Sequence, residues 1–195
     1  MREIDAKSVA ETISRLLQEA CYHLSDDVRE ALRLARGREE SPAACHVLTA
    51  LLQNAEMAAR DEIPLCQDTG MAVVFLEVGQ DVHIVGGDLY EAVQEGTRRA
   101  YTHGYLRKSV VEKPFSARIN TRDNTPAVIH ATIVPGETLK ITVLSKGFGS
   151  ENMSRMTMLP PAEGREGVIE FVLTCVDEAG ANPCPPVIVG VGIGG

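Results

Sequence analysis

The hydrophobic period of the sequence first changes from helical to strand-like around residues 62–71, and this change limits the fold more than any other feature. Before it, apolar residues recur at three- and four-residue steps, as on one face of a helix. After it they alternate or gather in β-branched runs, as in strands. Val9, Ile13, Leu16, Leu17 and Ala20 make the stripe of a first helix, brought to an end by Leu24 and the polar Ser25-Asp26-Asp27. Ser25 suits the N-cap of a second helix, with two acids where the helix dipole favours negative charge, and Gly37 suits its stop. Ser41-Pro42 starts a third. Proline loses no hydrogen bond at the first helical position, and Ala44, Val47, Leu48, Leu51, Leu52 and Ala55 supply the buried face.

From Met71, MAVVFLEV predicts a strand, and VHIVGG a second one after a Gly-Gln-Asp turn. Asp88-Leu89-Tyr90-Glu91 has the form of a capping box opening a helix to about Tyr101. The polar, Arg-rich YLRKSVVEKPFSARINTRDNTPAV has no regular period; such a stretch either wraps a site or packs as irregular structure. VIHATIV and LKITVL flank Pro135-Gly136-Glu137-Thr138 and predict a hairpin, and LSKGFGSENMSRMTMLPPAEG is dominated by loop residues. A helix is predicted from about Arg165, with Val168, Phe171, Val172, Cys175, Val176 and Ala179 on one stripe that stops at Gly180. Asn182-Pro183-Cys184-Pro185-Pro186 then forms a rigid turn into a final expected strand, VIVGVGIGG. The expected fold is mixed α/β, with N-terminal helices followed by a β-rich sheet region with packed helices. Residues 1–62 form the helical segment and 63–195 an α/β region continuous with it.

With 195 residues, 44% of them hydrophobic and 24% charged, the chain has the composition of a globular domain able to bury a sizeable core. A formal charge of −8 opposes general affinity for nucleic-acid phosphates or anionic membranes, so neither is an expected partner. The charged N-terminus does not read as a secretion signal, and no stretch reaches the roughly 20 apolar residues of a membrane span. Five cysteines without a CxxC pair fit reduced thiols and a cytoplasmic location.

Cys66 sits in IPLCQDTG, where Gln67, Asp68 and Thr69 crowd one turn. An Asx- or ST-type turn with an incidental cysteine and a reactive loop explain this equally well. Cys184, boxed by three prolines, cannot lie in a regular helix or central strand, so its sulfur is held on a rigid loop. A metal ligand needs that, and a small apolar residue packed under a loop is also consistent with it. Cys21, Cys45 and Cys175 fall within helices and read as packing. The five histidines show no short metal-ligand spacing. The glycines from Gly190 to Gly195 lack the helix a dinucleotide fingerprint needs, and Lys146-Gly147-Phe148-Gly149-Ser150 lacks a phosphate loop's ending, though exposed N–H groups there could bind a carboxylate. Arg107, Lys108, Arg118, Arg122 and Lys146 form either an anion site or a set of solvated charges.

IPLCQDTGMAVVFLEVGQDVHIVGGDL, YLRKSVV, NTRDNTPAVIH, KGFGSENMS and AGANPCPPVIVGVGIGG together resemble the alpha subunit of the two-subunit iron–sulfur fumarate hydratases and the closely similar tartrate dehydratases. The resemblance covers essentially the whole chain, with Phe148 interrupting what is commonly a run of three glycines. It implies a hydro-lyase of the tricarboxylic acid cycle type acting on a dicarboxylate, fumarate or tartrate, with a beta subunit completing the site in an oligomer. It also implies a [4Fe–4S] cluster held by three thiolates, one iron being left open as a Lewis acid. Cys66 and Cys184 match two ligands, and the third is expected outside this chain, which would then be shorter than the full family subunit. Gln67 and Asp68 match a substrate-contacting pair, with Asp68 implied in proton transfer, and Arg107, Lys146 and Gly149 match positions that hold the dicarboxylate. Two other classes compete: a non-catalytic binding or assembly module, motivated by the missing ligand, and a thiol enzyme with Cys66 as nucleophile, weakened by the lack of a neighbouring base.

Overall fold

The computed structural model describes residues 1–194 and has a mixed α/β fold made of two compact units, Met1–Ser145 and Lys146–Gly195. The first unit opens with a strand the helical reading of the N-terminus did not anticipate, β1 (Arg2–Asp5), followed by α1 (Ala6–Tyr22), α2 (Asp26–Arg38) and α3 (Pro42–Asp61). It continues with β2 (Met71–Gly79), β3 (Val82–Val85), α4 (Leu89–His103), β4 (Val111–Glu112), β5 (Ile119–Asn120), β6 (Val128–Val134) and β7 (Leu139–Lys146), whose last residue begins the second unit. The second unit has a one-turn helix, α5 (Phe148–Glu151), a 3-10 turn over Pro161–Glu163 and α6 (Gly164–Ala179).

Of the stripe read for α1, Val9, Ile13 and Leu17 lie within the core, Ile13 and Leu17 wholly shielded from solvent, while Leu16 is half-buried and Ala20 is exposed. Asp5 caps this helix by accepting a hydrogen bond from the Lys7 amide at 2.7 Å, and Asp88 caps α4 through the Glu91 amide at 2.9 Å, as the capping box predicts. The two helices pack closely because Gly96 removes a side chain at the crossing. A Cβ there would lie 2.6 Å from the Ala10 carbonyl oxygen and 2.9 Å from Ile13 Cβ. α2 and α3 are less immersed. α2 runs through Gly37 to Arg38, one residue past the expected stop, and Val47 on the expected buried face of α3 is exposed, while Ala55 and Ala58 are buried.

The strands correct the hairpin expectation. β6 and β7 do not pair with each other; β2 lies between them in a three-stranded sheet ordered β6-β2-β7, parallel to β6 from Val73↔Val128 to Gly79↔Val134. β2 is the most apolar strand, with Ala72, Val74 and Leu76 buried, and a central place gives its backbone partners on both sides. The Pro135–Thr138 turn therefore curls over the end of β2, where the Gly79 amide donates to Thr138 O at 2.8 Å, Gln80 to Val134 O at 2.9 Å and Asp81 to Gly136 O at 3.0 Å. Gly79 leaves the space this turn fills, since a Cβ would stand 2.4 Å from Gly136 O. β1 pairs with β3 in parallel, and β4 with β5 antiparallel.

In the second unit, Val168, Phe171, Val172, Cys175 and Ala179 of the expected α6 stripe are half-buried, whereas Val176 is exposed; none of the helix is fully buried. The expected strand at VIVGVGIGG is not formed over residues 187–194. Ile188 and Ile193 are exposed, and an isolated extended segment has no ladder to satisfy its amides. Gly195 lies outside the described residues. Among the described residues no helix is long and apolar enough to cross a membrane.

Candidate functional site

The Cys66 loop begins where α3 stops. Glu62 adopts a left-handed conformation (φ 51°), Ile63 donates back to Ala58 O at 3.1 Å, and the chain reverses towards the first helix. There the Leu65 amide donates to Cys21 O at 2.9 Å, and Asn54 Nδ2 donates to Leu65 O at 2.8 Å. Cys66 follows as a free, exposed thiol. Its Sγ donates to Gln67 Oε1 at 3.3 Å and accepts from the Asp68 amide at 3.4 Å, while Asp68 Oδ1 accepts from the Gly70 amide at 3.2 Å. The turn reading is thus correct as geometry, and it presents a thiol, an amide and a half-buried carboxylate within three consecutive residues.

Behind this turn lies a buried polar cluster. Thr69 O accepts from Tyr101 Oη at 2.7 Å and from Ser145 Oγ at 2.6 Å, and Thr69 Oγ1 donates to Arg107 O at 3.0 Å. Burial drives the Tyr101 hydroxyl well above its ordinary value, with the Ser145 hydrogen bond opposing, so it is a neutral donor. Burial likewise pushes the Cys21 thiol up, again against a hydrogen bond from Ser145, in keeping with packing rather than ligation. Asn124 is fully buried. Its Oδ1 accepts from the Ser109 and Val110 amides at 2.7 and 2.9 Å, and its Nδ2 donates to Gly70 O at 2.9 Å. The irregular Arg-rich stretch therefore wraps the Cys66 loop, and its Arg107 backbone is tied to it directly. The Arg107 side chain is exposed and makes no ion pair among the described residues.

Other candidates stand differently. Lys146 Nζ lies 3.0 Å from Glu151 Oε2, donates to Ser150 Oγ at 2.9 Å and reaches Gly147 O at 3.4 Å, so its charge is committed within its own loop. Gly149 is half-buried in the short α5. Lys108 is half-buried, whereas Arg118 and Arg122 are exposed, each at positive φ. Cys184 is exposed in a left-handed conformation (φ 59°), its amide donating to Ala181 O at 3.1 Å. Tyr101, Ser145 and Asn124 were not among the sequence candidates. The dense polar run Asn-Thr-Arg-Asp-Asn-Thr before Pro126 was the available signal for Asn124, since asparagine tolerates the left-handed region.

Cys66 and Cys184 are the two exposed thiols; Cys45 and Cys175 are half-buried and Cys21 is buried. Among the described residues no group of three or more Cys, His, Asp or Glu side chains could hold a metal. Each exposed thiol is, by its chemistry, a side chain of the kind that ligates iron–sulfur clusters.

Residues 10–195 match the sequence model of the family described as fumarate hydratase (fumerase). A relative from Methanocaldococcus jannaschii, provisionally named L(+)-tartrate dehydratase subunit alpha, is 36% identical over 96% of this chain and 67% of its own length. The L(+)-tartrate dehydratase alpha subunits of Escherichia coli K12 and Shigella boydii are each 32% identical over 87% of this chain and 56% of their own length, so the chain spans little more than half of those relatives. A match that takes in the Cys66 loop, the wrapping segment and the Cys184 turn at once makes the chain a member of the fumarate hydratase family.

Proposed function

We propose that the chain is the alpha-subunit portion of an iron–sulfur hydro-lyase that adds water reversibly across the double bond of fumarate to give malate. The observation that carries this reading is the exposed Cys66-Gln67-Asp68 turn fixed beside the Arg107 backbone, within a chain matched to the fumarate hydratase family over residues 10–195. Cys66 and Cys184 would hold a [4Fe–4S] cluster, with the third thiolate supplied from outside the described residues. When bound, the cluster supplies a Lewis acid that activates oxygen near neutral pH. The chain's own residues do the rest. Asp68 moves the proton that joins or leaves the carbon next to the hydroxylated one, and Gln67 orients the substrate beside it. Arg107, in no ion pair among the described residues, forks two hydrogen bonds to a substrate carboxylate, and the Lys146–Gly149 loop offers a second grip. A beta subunit completes the site in an oligomer, in keeping with relatives named as alpha subunits, and five free cysteines suit the cytoplasm.

Anaerobic reconstitution of the complete alpha–beta enzyme is expected to give a brown cluster and reversible fumarate hydration. Cys66→Ser and Cys184→Ser are each expected to lower kcat/KM about a thousandfold, the scale of a lost Lewis-acid contribution. Variants that keep both cluster and activity overturn the ligand assignment. The names of the relatives favour a second substrate, L-tartrate, and a kcat/KM for tartrate dehydration exceeding that for fumarate would move the reading to it.

A further inference from the structure

We infer that Asn124 is a positioning residue whose side chain sets the Cys66-Gln67-Asp68 loop and the Arg107 segment in one register. The inference rests on the function proposed above, which gives those two segments the metal-ligand and carboxylate-binding roles. The three hydrogen bonds of Asn124 end on Gly70 O, two residues past Asp68, and on the Ser109 and Val110 amides, beginning two residues past Arg107. No secondary-structure ladder joins these segments, so the amide of one side chain does what a ladder would do. The Thr69 Oγ1 bond to Arg107 O is a second tie across the same seam, at 3.0 Å.

Three properties of the position select asparagine. Its φ of 64° is in the left-handed region, which asparagine, aspartate and glycine enter at little cost and longer or β-branched residues do not. Its burial is complete, so each polar atom needs a partner. One end must accept from two amides while the other donates to a carbonyl, and a carboxamide does both with no change of protonation. Asp123 braces the site from the preceding residue: its Oδ1 accepts from the Thr125 amide at 3.0 Å and its Oδ2 pairs with Arg98 Nε at 3.0 Å.

Two substitutions read the clamp from its two ends. Asn124→Gly keeps the backbone conformation and removes all three bonds. Asn124→Asp keeps the acceptor for Ser109 and Val110 but faces Gly70 O with a second acceptor. Amide hydrogen exchange of the 195-residue chain, followed by mass spectrometry of peptides, is expected to show residues 65–70 and 107–110 exchanging about tenfold faster in the glycine variant, with α1 unchanged. In the aspartate variant only residues 65–70 are expected to accelerate. In the assembled alpha–beta enzyme, Asn124→Gly is expected to raise KM for fumarate more than it lowers kcat, with the visible absorbance of the cluster retained. Exchange that rises equally in α1, exchange that does not change, or loss of the folded far-UV signal in both variants overturns the positioning role. An unsubstituted enzyme that hydrates neither fumarate nor tartrate, with the segment-specific exchange intact, overturns the function and leaves the clamp standing.

Discussion

The loop around Cys66 is held from several directions by residues distant in sequence: Cys21 O, Asn54, Tyr101, Asn124 and Ser145 all bond to residues 65–70. The turn around Cys184 is held by short-range bonds, Asn182 to Ala179 O at 3.1 Å and Cys184 to Ala181 O at 3.1 Å, and by the fixed φ of its flanking prolines. Both present an exposed thiol on backbone of limited freedom. One is preorganised by a folded core and the other by stiffness of the chain itself, so they should fail under different perturbations.

The largest contrast is expected in the helices beside them. Leu17→Ala empties a fully shielded site in α1, the helix whose Cys21 carbonyl holds the first loop, and is expected to cost about 2–5 kcal/mol. Val172→Ala, on the half-buried stripe of α6, is expected to cost about 1 kcal/mol or less. Urea unfolding of the two variants checks the pair, and equal losses would erase the distinction between a core-supported and a self-supported loop.

Next in size is Tyr101→Phe, which deletes one of the two hydroxyl donors to Thr69 O and leaves the ring in place. A loss of about 1 kcal/mol is expected, because Ser145 still satisfies the carbonyl. The loss should appear in thermal melts and as faster exchange in residues 65–70 rather than around Cys184.

How much of this was legible in the sequence follows the range of the interactions. The α1 stripe and the Asp88 cap were readable because a helix is specified by neighbours three and four residues away. The order β6-β2-β7 was not, since nothing between VIHATIV and LKITVL says that a strand about fifty residues earlier will lie between them. VIVGVGIGG has the composition of a strand, but a strand also requires a partner, which composition does not supply. The same division runs through the site. Cys66 and Cys184 stood out through their immediate neighbours, while Asn124 and Tyr101 matter through bonds to residues 54 and 32 positions away.

A smaller effect, of opposite sign, is expected at Cys184. A non-glycine residue at φ 59° stores on the order of 1 kcal/mol, which Cys184→Gly would release, partly offset by the greater freedom of glycine in the unfolded chain. The variant is expected to be as stable as the parent or up to about 0.5 kcal/mol more so, while losing a proposed cluster ligand. Cys66→Gly has no such strain to relieve and is expected to lose stability slightly. If both thiols can be removed with equal effect, local stiffness is not what distinguishes the second turn.

The smallest effect tests the outer brace of the first loop. Burial alone would raise the Asp123 carboxyl, but hydrogen bonds from the Thr125 amide and hydroxyl and from Arg98, together with the Arg98 charge, outweigh it and hold the group below its ordinary value. A carboxyl depressed in the folded state binds protons more readily when unfolded, so its stabilisation is fully present above the unfolded value, about 3.9, and is lost as pH falls from there through the folded value. Glu95 is lowered in the same direction, first by its hydrogen bond from Arg99 and then by that from Arg98, so Arg98 serves both carboxylates. Arg98→Gln is therefore expected to lower stability at pH 7 by about 0.5 kcal/mol, the scale of a partly exposed pair, and to flatten the fall in melting temperature below about pH 5. Added salt should shrink the difference at pH 7. A variant whose acid sensitivity matches the parent's would show that the brace on Asn124 is the Thr125–Asp123 turn alone, with the arginine acting as a solvated charge.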